Sequence, residues 1–207
     1  MTETRTPESD RKAPPTPPVS YDEFLEWAEE NVRAEWIDKE VRLVPPASNR
    51  HQDLVRFLTS LFSTVVEATD SGAVVRPAPF QMKLENGREP DVLVVTEAHR
   101  DRVHETHVEG PADLVVEVVS PGSGPRDRGD KFYEYEAAGI PEYWIVDPER
   151  EQLEVYRLVD DRYENAFMGA TGRVESHVLE GLWIQAEWFW QEPLPNVLDV
   201  LSALDLM

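Results

Sequence analysis

Four side chains between Pro90 and Asp147 have the types and spacing for hydrolysis on a metal ion: Asp91, Glu117, Asp127 and Lys131. Asp91 opens the apolar run Val92-Leu93-Val94-Val95, and Glu117 lies inside Leu114-Val115-Val116-Glu117-Val118-Val119. Strand residues alternate faces, so Val115, Glu117 and Val119 share one side. Both sides of that run are apolar, as in a central strand. An ionised carboxylate there is costly unless it is paired, hydrogen-bonded or bound to metal. If the two runs are neighbours, Asp91 and Glu117 can converge on one cation. A hard ion such as Mg²⁺ takes one or two carboxylates and fills its remaining sites with water. Such an ion activates water and stabilises charge on a phosphoryl oxygen. Asp127 and Lys131 stand four apart in a helical pattern. They read either as a surface ion pair worth about 0.2–0.5 kcal/mol or as a lysine reaching back to the site.

The elements around these residues follow from periodicity. Ser20 with Glu23 forms a capping-box pattern before Phe24, Leu25 and Trp27. Residues 34–38 and 41–44 read as a hairpin closed tightly at Asp38-Lys39-Glu40. Ser48 caps a long helix whose Leu54, Leu58, Leu61, Phe62 and Val65 recur at helical spacing. Residues 74–75 and 80–84 read as strands, the second followed by an Asn86-Gly87 turn. Residues 96–110 read as a polar loop with a short helix. Residues 127–138 read as one helix stopped by Gly139. Strands are expected over 143–147, 152–158, 163–168 and 174–179, with a closing helix within 195–206. The sum is a mixed α/β fold, a curved sheet with one long and one medium helix against it. Residues 1–19, rich in proline, read as a disordered arm before a single domain over 20–207. Trp183, Trp188, Phe189 and Trp190 read as packing or a dimer contact.

Composition narrows the function. The net charge is −21, from 41 acidic and 20 basic residues. Such a field opposes a broad phosphate-tracking surface and favours divalent cations. Lysine occurs only at positions 12, 39, 83 and 131, which makes Lys131 more noticeable. The chain has no cysteine, which excludes thiolate zinc sites and a cysteine nucleophile. No membrane span or signal core is legible, so a cytoplasmic location is expected.

Beyond these readings, the residues resemble a known family. Pro90-Asp91, Glu117-Val118-Val119-Ser120-Pro121, the Asp127, Lys131, Tyr135 spacing and Gly139-Ile140-Pro141-Glu142-Tyr143-Trp144-Ile145-Val146-Asp147-Pro148 look like the Uma-type restriction endonuclease family, in the PD-(D/E)XK nuclease superfamily. Glu35-Trp36-Ile37-Asp38 and His51 are similar to its N-terminal half, and the resemblance runs from about Val19 to Leu182. It implies a restriction-endonuclease-like α/β fold, a mixed curved sheet flanked by helices. It makes Asp91 and Glu117 the ligands of Mg²⁺ or Mn²⁺. The superfamily lysine position holds Val119, which can offer the metal only a backbone carbonyl. The resemblance points instead to Lys131, with Glu35 as a further acid and His51 as a base or phosphate contact. Asp38-Lys39 departs from the family's Asp-Gly. The implied activity is a metal-dependent endonuclease on DNA, with a homodimer as the implied assembly. Two other readings stay open: a catalytically inactive nuclease-fold interaction module, and a hydrolase of a small phosphorylated substrate.

Overall fold

Hydrophobic alternation along three central strands sets the architecture. The computed structural model describes residues 13–28 and 33–206. Its elements run α1 (Tyr21–Trp27), β1 (Ala34–Ile37), β2 (Glu40–Leu43), α2 (Asn49–Thr69), β3 (Val74–Pro77), β4 (Gln81–Lys83), β5 (Gly87–Arg88), β6 (Val92–Val95) and β7 (His107–Glu109). They continue with β8 (Leu114–Val118), α3 (Gly124–Asp127), α4 (Asp130–Ala137), β9 (Glu142–Asp147), β10 (Gln152–Val159), β11 (Arg162–Gly169), β12 (Arg173–Glu175), β13 (Trp183–Gln185) and α5 (Val197–Ala203).

A six-stranded sheet in the order β11-β10-β9-β8-β6-β3 is the centre. On one face Val92, Val94, Leu114, Val116, Trp144 and Val146 pack against α2, α5 and Phe189. On the other, Leu93, Val95, Val115, Tyr143 and Ile145 pack with Tyr135 of α4, Met82 of β4 and Val108 of β7. Burying each such aliphatic side chain is worth about 1.5–3 kcal/mol. Met82 and Val108 belong to a second sheet, β2-β1-β5-β4-β7, so the two sheets meet across this second core. The observed fold is therefore mixed α/β with curved mixed sheets and flanking helices, as expected.

Only β8 and β9 pair in parallel within the central sheet; its other described pairings are antiparallel. A parallel pair requires a crossover, and α3 with α4 supplies it. That crossover departs from the single helix expected over 127–138. It breaks at Gly129, where an added Cβ would lie 2.7 Å from the Pro125 carbonyl oxygen.

Other differences have local causes. The Asp38-Lys39 turn closes β1 to β2 with both residues at positive φ, 52° and 64°, the backbone of a two-residue hairpin. Gly87 opens β5 rather than acting in a turn; a Cβ there would sit 2.5 Å from the Tyr21 ring, so glycine is what lets that ring lie on the strand. The strand expected over 174–179 stops at Glu175, because the Ser176 hydroxyl accepts from the N–H groups of Val178 and Leu179 and bends the chain. Its partner is β13, which periodicity had left unassigned.

Of the expected proline-rich arm, residues 1–12 lie outside the described residues. Val19 at its end is buried, donating to the Lys39 carbonyl at 2.8 Å and accepting from Trp36 Nε1 at 2.8 Å. Phe189 is buried, and Trp183, Trp188 and Trp190 pack against the first core.

Candidate active site

Topology brings the acidic residues to one end of the central sheet. The antiparallel register pairs Val92 with Val116. One step further it sets Asp91, at the start of β6, opposite Glu117, near the end of β8. By alternation both share the face of Leu93 and Val115. The crossover leaves from that same end of β8, so the first turn of α4 returns Lys131 over Glu117. Its Nζ donates to Glu117 Oε1 at 2.7 Å, and the Tyr135 hydroxyl, one turn on, donates to the same oxygen at 2.9 Å.

The second sheet contributes the remaining acid. Trp36 pairs with Gly87, which places Glu35 of β1 opposite Arg88 of β5. Arg88 donates to Glu35 Oε2 at 3.3 Å and also holds Glu134. Glu35 Oε1 lies 3.4 Å from the Lys131 ammonium. Asp127 Oδ1 lies 3.8 Å from it, while the other oxygen accepts from Ser123. Asp91 is gripped on both oxygens. Oδ1 faces Arg33 at 3.1 Å and His51 Nε2 at 3.0 Å; Oδ2 accepts the Val118 N–H at 2.9 Å. Arg33 is in turn held by Glu89 at 2.6 Å.

Glu35, Asp91, Glu117, Asp127 and Lys131 line one small cavity of about 30 Å³, room for about one water-sized occupant. Five carboxylates, those of Glu35, Glu89, Asp91, Glu117 and Asp127, face three cations, Arg33, Arg126 and Lys131. Carboxyl groups thus outnumber cations around the cavity. Glu35 Oε1 and Asp127 Oδ1 are buried without a hydrogen-bond partner.

The electrostatics follow from this crowding. Burial works to raise Asp91, but the hydrogen bond from His51 and the charges of His51, Lys131 and Arg33 bring it below its ordinary value. Burial likewise opposes ionisation of Glu35, yet Lys131, Arg126 and Arg88 hold it low. Glu117 goes the other way: burial, helped by Asp91 and Asp127 and resisted by Lys131, pushes it up to about 8. Burial alone would lower Lys131, but Glu117, Glu35 and Asp127 hold it above its usual value. Lys131 is therefore a fixed cation and hydrogen-bond donor, not a proton acceptor.

The donor set fits a hard divalent ion. Among the described residues no three His, Asp or Glu side chains gather as a metal-ligand cluster, but Mg²⁺ commonly uses only one or two carboxylates. Asp91 and Glu117 are the two carboxylates that stand opposite one another here.

The structure thus brings Asp91, Glu117, Lys131, Glu35 and His51 together around one cavity. Val119 is not among its lining residues. Its N–H pairs with the Val146 carbonyl and its side chain joins the second core, while Val118 lines the cavity. Alternation keeps the Val119 side chain on the face of Glu117, within the second core. Asp127, weighed in the sequence as a surface partner, is buried beside Lys131. Arg33 and Arg126 had no sequence signal beyond their charge. Arg128, next to Arg126, turns away to Asp147 and Glu154.

Comparison with known proteins bears on the fold and the family. A protein of Synechocystis sp. described as uncharacterized is 29% identical over 150 residues, covering 71% of this chain and 78% of its own. A solved protein from Anabaena variabilis, described as "a putative nuclease belonging to DUF820", superposes with a TM-score of 0.69 at 18% identity, covering 84% of this chain and 98% of that one. It shares the fold. Among the described residues no helix is long and apolar enough to cross a membrane. The profile of the Uma2 family, described as "Putative restriction endonuclease", matches residues 21–187. That span takes in Glu35, His51, Asp91, Glu117 and Lys131, and the chain belongs to the Uma2 family.

Proposed function

We propose that this chain is a Mg²⁺- or Mn²⁺-dependent endonuclease that hydrolyses phosphodiester bonds of DNA. The observation that carries the reading is the pairing of Asp91 and Glu117 across β6 and β8, with the Lys131 ammonium 2.7 Å from Glu117 inside a cavity where carboxyl groups outnumber cations. Asp91 and Glu117 would hold the ion. Once bound, the ion supplies Lewis-acid stabilisation of the charge that develops on the phosphoryl oxygens.

The chain's own residues do the rest. Arg33, His51 and the Val118 N–H fix both oxygens of Asp91, so its orientation is set before substrate arrives. Tyr135 does the same for Glu117. Lys131 presents a permanent positive charge that orients a water or a phosphate oxygen by hydrogen bonding and offsets charge in the transition state. Glu35, held ionised by Lys131, Arg126 and Arg88, anchors that ammonium from the opposite sheet. Burial removes competing water and strengthens each of these interactions.

The test is cleavage of plasmid, linear and single-stranded DNA with and without Mn²⁺. Asp91→Ala, Glu117→Ala and Lys131→Ala are assayed beside wild type, with circular dichroism to verify folding. Each variant is expected to lose about 10²-fold or more in rate, the loss typical of removing a charge-stabilising group. Wild-type protein that cuts nothing, or folded variants that cut as well as wild type, would sink the reading. Absence of millimolar Mn²⁺ binding by calorimetry would then favour an inactive interaction module.

A further inference from the structure

The small cavity is not the only space at this end of the sheet. A groove of about 540 Å³ runs along the first half of α2 and shares Arg33, His51 and Asp91 with the catalytic cavity. Its lining is mainly apolar, with Pro46, Val55 and Ala78, and carries Arg56, Thr59 and Ser60 as polar members. The volume lies in the range of pockets that enclose about one nucleotide-sized ligand.

His51 gives the junction of the two spaces a specific chemistry. The ring is 5% exposed, and its Nε2 lies 3.0 Å from Asp91 Oδ1. An ionised carboxylate only accepts, so Nε2 carries the proton in that bond. Nδ1 is left buried with no hydrogen-bond partner. A buried, unpartnered ring nitrogen is costly to leave unmatched, and the residue that carries it lines both spaces.

Asp91 and Glu117 are 4% and 3% exposed. An unpaired strand bends freely enough to fold a phosphate and its neighbouring base into two adjoining spaces. The groove has room beside that phosphate for one sugar and base. The net charge of −21 also disfavours a long duplex-tracking surface.

We propose that this groove is the subsite for one unpaired nucleotide flanking the scissile phosphate, which makes single-stranded nucleic acid the substrate class. The inference rests on the nuclease reading for the scissile phosphate, but nucleotide binding in the groove can be tested without turnover. Full-length Glu117→Gln protein is titrated with a fluorescein-labelled single strand and with the same sequence as a duplex, read by anisotropy. The single strand is expected to bind at least about tenfold more tightly. Adding Thr59→Trp, which fills the groove, is expected to weaken single-strand binding at least about tenfold; Ser60→Trp, at an exposed position on the same wall, repeats the test if the first variant does not fold. Mn²⁺ binding to the Trp variants made in otherwise wild-type protein, measured by calorimetry, is expected to be unchanged.

Equal binding of single strand and duplex, or undiminished single-strand binding by folded Trp variants, overturns the subsite. Metal-dependent cleavage that survives in the Trp variants overturns it while leaving the nuclease reading intact. Groove-dependent single-strand binding without any metal-dependent cleavage does the reverse.

Discussion

Glu117 and Lys131 share one hydrogen bond but pull in different directions on pH. Glu117 moves from 4.5 to about 8 on folding, mainly through burial. A carboxyl that holds its proton more tightly when folded stabilises most below its unfolded value, and that contribution is lost as pH climbs through the folded value. Asp91 and Glu35, displaced downward, act with the opposite sign. In metal-free buffer the melting temperature of wild type is therefore expected to fall relative to Glu117→Gln between about pH 5 and about pH 8. A difference of about 5 °C or more is expected, since 1 kcal/mol corresponds to about 2–4 °C in chains of this size. Mn²⁺, which needs the ionised carboxylate, is expected to restore wild type at the upper end. A flat difference across the range would remove Glu117 from this role. Lys131→Met should leave buried Glu117 without its cation and weaken the hold on Glu35 and Asp127. It is expected to cost about 3–5 kcal/mol of stability by denaturant melts, with Lys131→Arg recovering part of it. Much of this was legible beforehand. Asp91 and Glu117 stood out because carboxylates in apolar strands need a reason, and Lys131 and Tyr135 fall on one helix face. Arg33 and the burial of Asp127 were not legible. An arginine before a strand carries no periodic signal, and a four-residue spacing to lysine looks the same on a surface as in a core.

At the scale of elements, the site depends on how β8 is connected to its neighbours. Because β6 runs antiparallel to β8, the start of one lies beside the end of the other; because β9 runs parallel, the crossover must depart from that same end. Gly129 lets α3 and α4 meet at an angle, with Asp127 on one and Lys131 on the other. Gly129→Ala forces a Cβ against the Pro125 carbonyl and is expected to cost about 1–3 kcal/mol. Its loss of cleavage should exceed what the melting shift explains, because the two site residues are displaced relative to each other; proportional losses would show the bend to be merely structural. Long periodic elements such as α2 and the central strands were readable because one face of each is apolar over many residues. The break at Gly129, the early end of β12 and the pairing of β13 were not, since each is decided by a single tertiary or side-chain contact.

For the whole molecule, two sheets and a strongly negative charge define how a polyanion can approach. Proteins that track DNA through 6–10 phosphate contacts lose about 10³–10⁵ in affinity between 50 and 200 mM salt. With −21 overall and few basic residues near the site, the expected change in KM over that range is less than about threefold. A steep loss would reveal a phosphate-binding surface that the fold does not suggest. The division of labour between the sheets has a further effect during synthesis. Glu35 lies on the five-stranded sheet, Asp91 and Glu117 at one end of the central sheet, and Lys131 on the crossover that β9 must close. The ribosome releases these segments in order, and Lys131 is not pinned over Glu117 until the chain through Asp147 has emerged and β9 has docked beside β8. A nascent or prematurely terminated chain thus carries the acids without the cation that organises them. The charge arrangement of the site is thus completed only when the chain has folded through β9.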